Sequence, residues 1–90
     1  MESKSYIDFQ IFLRFEIKHQ MKNNKVKIKD LAKLMGEEVG YLYEIFSFRN
    51  ISLPKLFSIC ESLNISMSVM IENTMNRINE YEGQKHALVS

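Results

Sequence analysis

Seven basic side chains fall within residues 21–55, namely Lys22, Lys25, Lys27, Lys29, Lys33, Arg49 and Lys55, against Asp30, Glu37, Glu38 and Glu44. This stretch carries a net +3, whereas residues 1–20 balance to zero and residues 56–90 carry −2. The whole chain is only +1, so the distribution of charge says more than its sum. A cluster of lysine and arginine is the equipment for neutralising phosphates, the sequence-independent part of nucleic-acid affinity. No other constellation assembles a reactive group. His19 and His86 are far apart, and the single cysteine, Cys60, falls on an apolar helical face. No His/Cys group has zinc spacing, and no glycine-rich phosphate loop or nucleophile elbow occurs. The expectation is a binding protein with no cofactor and no catalytic residue.

Composition places these residues on one small helical domain. Ninety residues suit a single core, and three glycines with one proline favour helices with short joints over strands and turns. A lone thiol forms no internal disulfide and suits a reducing cytoplasm. No stretch approaches the roughly 18 apolar residues of a membrane span. Asp8, Gln10, Arg14 and Glu16 also interrupt the early apolar residues where an export signal needs continuity. A cytoplasmic location with no membrane partner is expected.

Apolar periodicity predicts five helices. The first runs over 5–21, capped by Ser3 or Ser5, with Tyr6, Phe9, Phe12, Leu13, Ile17 and Met21 as its stripe. Ile7, Ile11 and Phe15 widen that stripe, either because the helix is buried on two sides or because it meets a second subunit. Asn23 and Asn24 are its expected left-handed stop. A second helix over 28–35 turns Leu31, Ala32 and Leu34 or Met35 inward and ends at Gly36. Glu37 and Glu38 favour the start of a third, which runs to Phe46 on Val39, Leu42, Ile45 and Phe46. Ser52 and Pro54 open a fourth over 53–63, with Leu53, Leu56, Phe57, Ile59, Cys60 and Leu63 inward and Asn64 as its stop. Ser66 caps a fifth, expected over 67–82 and ended by Gly83, leaving 84–90 as a flexible tail. The domain is thus expected to span 1–83, with a helix-turn-helix unit at 28–46.

Helix, tight glycine turn and helix form the unit that lays its second helix in the DNA major groove. Over Lys27 to Ile71 the chain resembles the phage-repressor (Cro-like, XRE-type) helix-turn-helix family. Leu31-Ala32 matches its Leu-Ala pair, Gly36 its turn glycine, and Tyr41-Leu42 with Ile45 the apolar positions that seat the recognition helix. The segment SLPKLFSICESLNISMSVMI, from Ser52, is similar to its fourth helix and the opening of its fifth. The resemblance implies an all-α, five-helix, lambda-repressor-like DNA-binding domain, here with an extended C-terminal helix. It implies double-stranded DNA as partner and a repressor-like regulator of transcription as function.

Carried onto this chain, the family's base-reading positions are Val39, Gly40, Tyr43 and Glu44. Lys25, Lys27 and Lys29 around the second helix, Arg49 after the third and Lys55 in the fourth stand where phosphates are met. The surface differs from the family pattern: Lys27-Ile28 replaces Ser/Thr-Gln, and Glu38, Val39 and Gly40 replace Ser with Gln or Arg. Hence the alternative of a helix-turn-helix framework turned to protein binding, an anti-repressor or adaptor, through the third helix or the C-terminal one. Ile71, Met75, Ile78 and Tyr81 recur at four-and-three spacing, a narrow seam of the kind that joins two helices. It serves a homodimer, or it folds back onto the first helix of the same subunit.

Overall fold

The computed structural model describes residues 4–89, with side chains for residue 6 and residues 8–84. Its described residues form α1 (Lys4–Asn23), α2 (Ile28–Met35), α3 (Val39–Ser47), α4 (Leu53–Leu63) and α5 (Met67–Val89). Leu13, Ile17, Leu31, Leu42, Ile45, Ile59 and Met70 are fully enclosed at the centre, with Ala32 and Cys60 almost so. Helices α1 and α5 form the most extensive pairing, and α2 packs on both α3 and α4.

Three helices close in the same way. The N–H of Gly36 donates to the Lys33 carbonyl and that of Glu37 to Ala32, with Gly36 at φ 69°. Asn64 (φ 55°) and Ile65 repeat the pattern on Glu61 and Cys60. At the end of α1 the left-handed residue is Lys25 (φ 55°), not Asn23 or Asn24. Val26 decides this register: its N–H reaches the Met21 carbonyl while its side chain packs on the core. The preceding residue must then turn left-handed, whatever its type. At the helix starts, the Ser52 hydroxyl accepts from the Lys55 N–H (3.4 Å) and the Ser66 hydroxyl from Val69 (3.2 Å). Asp30 accepts the Lys27 N–H (3.1 Å), half of a capping box, since a lysine side chain has no acceptor to return.

Several expectations are corrected. Helix α5 does not stop at Gly83 but continues to Val89; Gly83 is not left-handed, and an interior glycine weakens a helix by only about 1 kcal/mol. The expected tail is therefore helical to residue 89, while Ser90 and the cap Ser3 lie outside the described residues. Helix α1 is not buried on two sides, because Ile11 and Phe15 are exposed. Leu53 and Phe57 are exposed as well, lying to one side of the line Leu56, Ile59, Cys60 and Leu63 that α4 buries. On α2 it is Met35 that packs inward, and Leu34 faces solvent.

The interior also holds polar groups that periodicity does not suggest. Gln10 and Glu16 are each only 3% exposed. The Gln10 amide bonds the backbone of Ile51 both ways, accepting its N–H (2.8 Å) and donating to its carbonyl (3.2 Å). Glu16 Oε1 accepts from Arg77 Nε (2.7 Å), while Oε2 accepts from Gln20 (2.6 Å) and Asn73 (3.1 Å). Among the described residues no buried side-chain nitrogen or oxygen lacks a partner. Burial alone raises the Glu16 pKa, but the bonds from Gln20, Arg77 and Asn73 and the Arg77 charge outweigh it and hold the carboxyl below its ordinary value. A carboxylate so depressed stabilises the fold above its unfolded pKa, and that stabilisation is lost as pH falls through the folded value. Glu16→Gln is thus expected to cost about 2 kcal/mol at pH 7 in urea unfolding. The gap from wild type should narrow only as the pH falls below the ordinary glutamate range, where this depressed carboxyl protonates. An equal gap throughout that fall contradicts this account of the contact between α1 and α5.

Candidate nucleic-acid interface

The left-handed turn at Gly36 ends α2 and returns the chain into α3 within three residues, so α2 and α3 share one edge of the fold. Leu42, Ile45 and Phe46 hold α3 down from beneath. Its outward face carries Val39 (38% exposed), Gly40 and Tyr43 (56%). A Cβ built on Gly40 meets nothing within 4 Å, so internal packing does not require glycine there.

The five expected phosphate contacts separate into two groups. Lys25, Lys27 and Lys29 are exposed and make no ion pair among the described residues. Arg49 and Lys55 are engaged inside the chain. Arg49 Nε lies 3.1 Å from Glu44 Oε2, and Lys55 Nζ is paired with Glu37 Oε1. Both cations lie over the Tyr41 ring, Lys55 Nζ 5.0 Å and Arg49 Cζ 5.8 Å from its centre. Geometry of this kind adds a cation–π attraction to each. Arg14 fixes the same loop from α1, donating to the Arg49 carbonyl (3.2 Å).

Glu44, expected to meet a base, is thus neutralised by Arg49, expected to meet a phosphate. The two pairs differ in strength. Arg49 and Glu44 are about half exposed, and a pair so solvated is worth under about 1 kcal/mol, little enough for a phosphate to displace. Lys55 and Glu37 are two-thirds covered or more and form the firmer pair. Sequence reasoning missed Tyr41 as a cation platform and Glu37 as a partner of Lys55, since 18 positions separate that pair.

The proposed seam on α5 is divided by the fold. Ile71 packs against the core, and the Tyr81 ring lies 5.5 Å from that of Phe12 on α1. Ile78 is half-buried and Met75 exposed. The line of α5 that faces α1 runs through Met70, Thr74, Arg77 and Tyr81.

Among the described residues no three His, Cys, Asp or Glu side chains lie close enough to hold a metal ion. Burial pushes the Cys60 thiol pKa up, which disfavours the reactive thiolate. Among the described residues no helix is long and apolar enough to cross a membrane.

By sequence, the chain matches no protein-family model and no curated protein. The interface therefore stands on its own chemistry. Because Gly40 lies in the first turn of α3 with open space beside it, Gly40→Ala is expected to raise stability by roughly 0.5–1 kcal/mol. Thermal unfolding reads this as a midpoint higher by a few degrees. A lower midpoint would show that the fold itself needs glycine at this position.

Proposed function

We propose that this protein is a repressor-like DNA-binding regulator with a lambda-repressor-like five-helix fold, laying α3 in the major groove of duplex DNA. The observation that carries this reading is the charge state of the surface. Three lysines around the start of α2 have no ion-pair partner among the described residues, while Glu37 and Glu44 are already neutralised by Lys55 and Arg49. Of the carboxylates beside and on α3, which in sequence argue against phosphate contact, Glu37 and Glu44 are thus compensated, while the exposed N-cap Glu38 has no cation partner among the described residues. Lys25, Lys27 and Lys29 supply the phosphate contacts that position the domain. Arg49 joins them by exchanging Glu44 for a phosphate. In the same reading two copies associate through the exposed side of α5 at Met75 and Ile78, which presents two α3 helices to two half-sites.

The protein-binding alternative draws on one observation of its own, the exposure of Leu34 (60%), Tyr43 (56%) and Phe48 (70%) on and around the same unit. Salt separates the two readings, because release of counterions makes phosphate binding fall steeply with ionic strength and an apolar interface barely responds. Duplex DNA is expected to bind with a steep negative slope of log affinity against log salt. Lys27→Ala and Lys29→Ala should each shallow that slope by about 1, and Arg49→Ala by less, since Glu44 already balances its charge. No duplex binding at low salt, or binding with a flat slope, contradicts the proposal and favours a protein partner.

A further inference from the structure

We propose that α3 recognises thymine methyl groups, an inference that rests on the DNA-binding reading and names what that surface selects. Guanine is usually read by Arg or Lys and adenine by Asn or Gln, each through two hydrogen bonds in the major groove. Helix α3, VGYLYEIFS, contains none of the four. Val39 and Tyr43 stand four residues apart, one above the other on the exposed side of the helix, with Gly40 beside Val39. This makes an apolar shelf of an isopropyl group and a phenol ring, next to a backbone that no side chain keeps at a distance. Such a shelf matches the C5-methyl of thymine, the one apolar group that a base pair displays in the major groove.

Glu44 does not oppose this assignment. Its carboxylate is ion-paired with Arg49 at 3.1 Å and is only partly covered. A carboxylate accepts from the N4 donor of cytosine as well as from the N6 donor of adenine, so Glu44 leaves the choice of base pair to the shelf. At an A·T pair the adenine N6 donor also suits the Tyr43 hydroxyl. The lysines around α2 set affinity and position without reading sequence, so selection falls to this shelf. The ligand class is duplex DNA whose A·T pairs turn their thymine methyls toward Val39 and Tyr43.

The test uses the full chain. A duplex enriched from a random library is compared by fluorescence anisotropy with copies in which single thymines are replaced by 2′-deoxyuridine, which removes only the methyl group. At the contacted pairs each replacement is expected to weaken binding about fourfold, the value of one buried methyl. Val39→Ala should reduce that thymine-to-uracil ratio below about twofold at one pair while leaving the salt slope unchanged. Tyr43→Ala should do the same at a neighbouring pair, and unchanged helicity by circular dichroism verifies that both variants fold. Salt-dependent binding with equal affinity for thymine and uracil duplexes, or enrichment of a G·C core, overturns the thymine assignment and leaves DNA binding standing. Failure to bind any duplex, or binding without salt dependence, overturns both.

Discussion

The fold hangs on the pairing of one buried amide with one loop residue. Ile51 lies between α3 and α4 with its side chain in the core, so its N–H and carbonyl are taken out of water with no helix to satisfy them. Gln10 supplies both partners from α1. Each such group left unpaired costs about 1–3 kcal/mol, enough to expel the loop from the interior. Arg14, one turn further along α1, holds the carbonyl of Arg49 in the same loop. The loop so placed keeps Arg49 against Glu44 and near the Tyr41 ring. On its other flank α1 presents Glu16 and Gln20, which bind Arg77 and Asn73 of α5 directly or through the shared carboxylate. Helix α1 is therefore a strut with a polar clamp on each side, and the surface around α3 inherits its shape from one of them.

Much of the helical framework was legible in the residues, because its causes are local. Gly36 and Asn64 tolerate the left-handed turn they occupy, Ser52 and Ser66 reach their own helix starts, and apolar spacing marks the inner faces of α2 and α3, except that Val39, expected in the α3 stripe, is exposed at the first turn. Features set by distant partners were not legible. Gln10 and Glu16 look like solvent-facing breaks in an apolar stripe until Ile51, Asn73 and Arg77 are brought to them across 41, 57 and 61 positions. Lys25 is left-handed because Val26 is anchored, and a propensity for Asn does not outweigh that anchor. Gly83 read as a terminator, yet a glycine ends a helix only where the backbone turns, and here it does not.

The candidate site was legible as an inventory and not as a circuit. Sequence places the basic residues and the acidic third helix side by side, which leaves their balance open. In the fold the carboxylates of Glu37 and Glu44 each acquire a cation, and the Tyr41 ring that both cations approach ties the two pairs into one cluster. The unpaired positive charge then lies around the start of α2, while α3 shows an apolar face with the exposed carboxylate of Glu38 at its N-terminal end. A surface of this kind separates adhesion from selection: lysines hold a polyanion, and a few apolar groups choose among base pairs. Ile71 packs partly on the core and Tyr81 touches Phe12, while Met75, one side of Ile78 and the outer side of the Tyr81 ring stay exposed on α5.

The central claim is that α3 and the start of α2 together form the surface that meets DNA, and residue-resolved NMR tests it most directly. Isotope-labelled protein titrated with short duplex DNA at low salt should show shifts at the amides of Lys27, Lys29, Val39, Gly40 and Tyr43. The amides of Glu16 and Thr74, inside the contact between α1 and α5, should stay in place. Shifts centred on Met75 and Ile78 with α3 unmoved, or a spectrum that duplex DNA leaves unchanged, would contradict the account.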